Sequence, residues 1–222
     1  MQYKDIDNKG AGMETNKISN NMLERMPLYL NYVKSLPKDV KNISATKIAN
    51  ALGFGEVLVR KDLAKVSNGG RCKLGYLRNE LICDIEEFLD IKNSMDAIVV
   101  GKSDILQVIL GYERFKEAGI NIVAGFDVNC SKRYCCGDRI VYPMKKLDVF
   151  FEEYPVKVAG LMDSGIDLQE ICEHLVALGV NAIWNFTSTY LNVPEHVIIQ
   201  NESITTSVAK IRMQLKEKNE IV

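Results

Sequence analysis

The chain has 222 residues, 47% of them apolar and 26% charged, with a formal net charge of −1. That composition describes a globular chain with room for one large or two small domains. It holds no apolar run of membrane-spanning length and no basic-then-apolar leader, so no membrane partner is expected and the cytoplasm is the expected location.

The near-neutral total hides an asymmetry. Residues 1–78 carry 14 Lys and Arg against 7 Asp and Glu, a net of +7, which leaves 14 against 22, a net of −8, for residues 79–222. A basic smaller part joined to an acidic larger one suits a nucleic-acid reader attached to a control domain, although a solvated basic face would count the same. Six cysteines without a C-x-x-C pair, and only His174 and His196 as imidazoles, argue against a metal site. Cys130, Cys135 and Cys136 cluster in what reads as a loop, where a thiol switch and plain solvated cysteines are both open readings.

In chain order, residues 1–16 are polar and read as a disordered leader. Met22, Leu23, Met26, Tyr29, Leu30, Val33 and Leu36 then form a helical apolar stripe that stops before Pro37, with Pro27 predicting a restart or a kink. Ser44 suits the cap of a second helix, and Gly53 the position just past its end. Residues 56–66, EVLVRKDLAKV, predict a third helix with Val57, Leu58 and Leu63 facing inward and Arg60 and Lys61 facing out. The glycine-punctuated stretch 67–77, with Arg71 and Lys73 and followed by Arg78, predicts a basic hairpin. Three helices and such a hairpin make a winged helix-turn-helix.

A connecting helix is predicted over 81–89, and beyond it strands and helices alternate. Strands are predicted at 95–101, 120–127, 139–142, 156–162, 182–186 and 197–200, with helices at 103–118, 145–153 and 167–178. Such alternation implies right-handed crossovers and a Rossmann-like parallel sheet, whose ligands sit at the carboxyl ends of the strands. A last helix near 204–218 carries Ile204, Val208, Ile211 and Leu215 on one face, for its own domain or a partner chain. Trp184 reads as packing in a buried strand.

The segments ERMPLYLNYVKSL, ISATKIANALGF and VRKDLAKV, followed in order by AGFDVN and LGVNAIWNFTSTYLNVPEHVIIQN, resemble the Rex family of redox-sensing transcriptional repressors from about residue 18 to residue 215. The resemblance implies an α/β architecture with a winged-helix DNA-binding domain over 17–80, a Rossmann-like domain over 81–202 and a dimerisation helix over 203–222, exchanged between subunits. It implies a homodimer on a palindromic double-stranded operator with NAD(H) as effector; a mixed dimer with an authentic Rex is an open reading for a chain that has lost its ligand. Carried over by position, Ser44, Lys47, Arg60, Lys61, Arg71 and Lys73 form the DNA side, with Asp62 a structural partner of nearby cations.

The family positions for the cofactor are Gly101, Lys102, Ser103, Asp104, Asp127 and Asp163. Here the chain departs from the family. Where Rex proteins have G-A-G-N-L-G, this chain has Gly101-Lys102-Ser103-Asp104-Ile105-Leu106, keeping one glycine of three. The second glycine admits the pyrophosphate and the third lets helix and strand approach, so NAD(H) sensing is expected to be weakened, altered or lost. Asn31, and Ser203 after Glu202, replace a charge pair that the family uses to couple its domains. Two other readings stay open: a sensor of another small molecule or of thiol oxidation, and an NAD-dependent oxidoreductase. No catalytic residue is expected, because neither histidine has a nucleophile or positioned acid beside it.

Overall fold

The computed structural model describes residues 19–71, 74–163, 165, 167–202 and 204–218. The expected leader and Lys73 lie outside the described residues, as does the side chain of Ile204. The chain divides into two compact units, Met1–Asp90 and Ile91–Val222.

The first unit opens with helix α1 (Asn20–Ser35), which continues through Pro27. Met22, Met26, Tyr29, Leu30 and Val33 recur at helical spacing and are buried, whereas Leu23 stays 42% exposed. Strand β1 (Asn42–Ile43) leads into α2 (Ala45–Leu52), where the Ser44 hydroxyl accepts the N–H of Lys47 at 3.1 Å and left-handed Gly53 closes the helix. Both termini are thus capped as the sequence predicts.

Helix α3 (Glu56–Val66) is rotated from its predicted orientation. Val59, Asp62 and Leu63 form its buried face, while Val57 and Leu58 are exposed. Each helical residue turns about 100°, so a face fixed by positions 59, 62 and 63 carries 57 and 58 outward beside Arg60 and Lys61.

The wing forms in two parts. Arg71 and Gly75 exchange backbone hydrogen bonds of 2.9 Å across the tip, and β2 (Tyr76–Leu77) pairs antiparallel with β1. Gly75 has φ +75°, and a Cβ there would lie 2.4 Å from the Ile43 carbonyl oxygen, so the return strand requires glycine. Helix α4 (Arg78–Phe88) starts earlier than predicted. Arg78 does not add charge to the wing: it donates to the carbonyls of Val33, Lys34 and Leu36 at 3.1–3.3 Å, closing the C-terminal end of α1.

The second unit contains β3 (Met95–Gly101), α5 (Ser103–Leu110), α6 (Arg114–Glu117), β4 (Ile120–Asp127), β5 (Tyr134–Cys136), β6 (Arg139–Pro143), α7 (Leu147–Glu153), β7 (Val158–Leu161), α8 (Leu168–Ala177), β8 (Ala182–Asn185), β9 (Ile198–Asn201) and α9 (Ile204–Glu217). The strand order is β5-β6-β4-β3-β7-β8-β9, parallel throughout except for β5. Ile98 and Val100 pack with residues of α7 and α8 on one face of the sheet, and Val99 packs with Leu106 and Leu110 of α5 on the other. This is the alternation expected of a strand buried on both faces.

Two predicted features change. The single helix over 103–118 is two helices, interrupted near Gly111, a poor helix former. Cys135 and Cys136, expected on a loop, lie in the antiparallel edge strand β5.

Candidate nucleic-acid interface and ligand cleft

In the first unit, the start of α2, the outer face of α3 and the wing enclose a groove of about 570 Å³ lined by Ser44, Thr46, Arg60, Arg71 and Tyr76. Of the residues singled out from sequence, the fold therefore gathers Ser44, Arg60 and Arg71. Lys47 and Lys61 are exposed and do not line the groove. Thr46 was missed because a small hydroxyl in the first turn of a helix carries no motif of its own.

Arg60 forms an exposed pair with Glu56 one turn earlier. Asp62 points the other way. Its Oδ2 accepts from Arg25 Nε at 2.7 Å and from the Tyr29 hydroxyl at 3.1 Å, and the residue is 6% exposed. The expectation that Asp62 partners nearby cations is met, by an arginine of α1. Burial, followed by the bond to Asp62, pushes the Tyr29 phenol up to about 12.

In the second unit, the strand order reverses at β3, between β4 and β7, and the carboxyl ends of these strands bring together Gly101, Asp127 and Met162. A Cβ on Gly101 would lie 2.7 Å from Met162 Cβ, so this glycine is needed for packing with no ligand in view. Leu106 stands at the family's third glycine position and is fully buried in the core between α5 and the sheet. Lys102 reaches across to the turn after β7, where its Nζ would lie 2.8 Å from a Cβ on Gly165, whose N–H donates to Asp163.

Asp127 is fully buried and hydrogen-bonded through both oxygens. Its Oδ2 accepts from Ser103 Oγ at 2.5 Å and from the Tyr134 hydroxyl at 3.0 Å, and its Oδ1 accepts from the Asn129 N–H at 2.9 Å. Tyr134 has no signal in the sequence because the strand that carries it is three residues long. Burial, followed by the charge of Asp127, pushes the Cys130 thiol up, which lowers its reactive thiolate fraction.

Beside the cleft lies a cavity of about 790 Å³ with Ile105, Val108, Ile109, Met162, Trp184 and Phe186 as apolar walls and Asp104, Asp163 and Glu202 as its charged groups. Trp184 is thus a cavity wall as well as a packing residue. Among the described residues no group of His, Cys, Asp or Glu is arranged to hold a metal, and no helix is long and apolar enough to cross a membrane.

A winged-helix unit followed in the same chain by a Rossmann-like unit with an acid at the end of its second strand defines a DNA-binding transcriptional regulator with a ligand domain. A family profile described as "Putative DNA-binding protein N-terminus" matches residues 17–64. The redox-sensing transcriptional repressor Rex of Treponema denticola is 34% identical over 201 residues, covering 88% of this chain and 94% of the relative. The Rex of Porphyromonas gingivalis is 30% identical over 222 residues, covering 96% and 98%. Among solved structures, the complex of RSP with β-NAD+ and operator DNA matches with a TM-score of 0.82 at 27% identity, over 91% of this chain and 94% of that one. RSP, a Rex-family repressor, matches in a second crystal structure with a TM-score of 0.80, over 91% and 97%. The chain belongs to the Rex family of redox-sensing transcriptional repressors.

Proposed function

We propose that this chain is a cytoplasmic homodimeric repressor that binds a palindromic operator, and that its NAD(H) binding is weakened relative to the family's ordinary geometry. The observation that carries the DNA-binding reading is the groove on which Ser44, Arg60 and Arg71 converge. Arg60 and Lys61 act from the recognition helix, Arg71 from the wing, and Ser44 and Lys47 from the positioning helix, with Lys73 proposed as a further DNA contact on its sequence position alone. The DNA-binding segment is assigned to 17–80 and the dimerisation segment to 203–222, as expected from sequence, whereas the ligand segment is assigned from 91 rather than 81 to 202, because helix α4 falls in the first compact unit.

Weakened NAD(H) binding is supported by what occupies the cleft. Ser103 and Leu106 stand at glycine positions, Asp127 is already hydrogen-bonded, and three carboxylates line the adjoining cavity, where a diphosphate would meet like charge. The residues do not fit a dinucleotide held in the family manner. We assign the chain no catalytic role. Its relatives are named as repressors, and His174 is half-exposed in a pair with Asp148 at 2.7 Å and does not line the cavity.

Fluorescence anisotropy with a labelled palindromic duplex and a scrambled control, run as a salt series, tests the reading. Sequence-specific binding that falls steeply with salt is expected. Equal affinity for both duplexes, or none, would overturn it.

A further inference from the structure

An acid at the end of the second strand of a Rossmann unit ordinarily accepts hydrogen bonds from ribose hydroxyls. In this chain two other hydroxyls hold that place. Ser103, the first residue of α5, and Tyr134, from the edge strand β5, both donate to Oδ2 of Asp127, at 2.5 and 3.0 Å. Two neutral O–H donors equal in number those of a vicinal diol, gathered here on Oδ2 while Oδ1 takes the Asn129 N–H. Burial pushes the Tyr134 phenol up, so it remains a donor at neutral pH.

We infer that Ser103 and Tyr134 serve as an internal substitute for the ribose diol and thereby set the cleft's specificity against ribose-bearing dinucleotides. This rests on the reading that NAD(H) binding is weakened, and it names the residues responsible. A ribose entering the cleft exchanges one pair of hydroxyl bonds to Asp127 for another. The exchange yields little net free energy, because a hydrogen bond contributes only what it gains over the bond it replaces.

Three forms of the full chain test this: the wild type, Tyr134→Phe, and Ser103→Gly with Tyr134→Phe, each titrated calorimetrically with NADH and with NADPH. The wild type is expected to bind both weakly. The double variant, with Oδ2 released, is expected to bind NADH at least about tenfold more tightly than the wild type, or about 1.4 kcal/mol. The gain should be clearly smaller for NADPH: Ser103→Gly opens the pyrophosphate path to both nucleotides, but a free carboxylate repels the 2′-phosphate of NADPH. Tyr134→Phe keeps its ring and should fold even where the double variant does not, with a smaller gain of the same sense. Adding Asp127→Asn to the double variant should abolish the preference for NADH, which a loss of local rigidity alone would not produce. A folded variant with no gain, or with equal gains for the two nucleotides, would overturn the inference while leaving the weakened-cleft reading intact. Submicromolar NADH binding by the wild type would overturn both.

Discussion

Asp62 of α3 accepts a 2.7 Å hydrogen bond from Arg25 of α1, and the Tyr29 hydroxyl shares the same oxygen. Because Asp62 lies between Lys61 and Leu63, this bond fixes the azimuth of α3 and so decides which side chains face outward. Removing one partner strands a desolvated charge. Asp62→Ala should therefore cost about 3 kcal/mol, the lower end of the range for broken buried pairs, because Arg25 keeps some solvent access. Replacing both residues with apolar ones should recover much of that loss. Urea unfolding of the three proteins measures the difference.

The same cluster gives the first unit a high-pH weakness. Tyr29 is raised from 10.0 to about 12 in the folded state, so the folded chain holds the phenolic proton more tightly than the unfolded one. The stabilisation is complete below pH 10 and is lost as the pH rises towards about 12. Unfolding midpoints measured between pH 9 and pH 12 (a range set by the ordinary tyrosine value of about 10) should show this decline, with a shallower slope in Tyr29→Phe.

Arg60 is held by Glu56 on the exposed face of α3, and an arginine so paired must leave its partner to reach DNA. An exposed pair one turn apart is worth only about 0.3–0.5 kcal/mol, and Glu56 also presents negative charge to phosphate. Glu56→Gln should tighten operator binding about twofold or more, whereas Arg60→Ala should weaken it by about 1–3 kcal/mol. Lys47→Ala should reduce the slope of log affinity against log salt by about 1. Anisotropy titrations give all three values.

Helix α9 exposes Val208, Ile211 and Met213 at 56–58% in the single chain. An amphipathic helix with its apolar residues open to water suits burial against a second subunit. Val208→Asp with Ile211→Asp should shift the protein from dimer to monomer in sedimentation velocity and weaken binding to a palindrome far more than binding to a half-site.

The broad architecture was legible because it rests on periodicity. The stripe of α1, the caps at Ser44 and Gly53 and the strand–helix alternation are each written in local residue types. The orientation of α3 was not legible. Asp62 reads as a partner of nearby cations, but the partner, Arg25, comes from 37 positions away and only the fold supplies it, and Val57 and Leu58 read as core until the face is set by Val59 and Leu63. The engagement of Asp127 Oδ2 was hidden for a similar reason. Its donors Ser103 and Tyr134 lie 24 residues before it and 7 after it, and β5 is too short to announce itself. Arg78 looked like wing charge because the carbonyls it closes belong to α1.

The most direct test is operator release by NADH, followed by anisotropy at one fixed salt concentration with calorimetric titration of the same preparation. The structure leads us to expect an intact protein–DNA complex at micromolar NADH and little heat of nucleotide binding. Submicromolar NADH binding that dissociates the operator complex would contradict it, and would mean that Ser103, Leu106 and the engaged Asp127 leave the family's redox switch in working order.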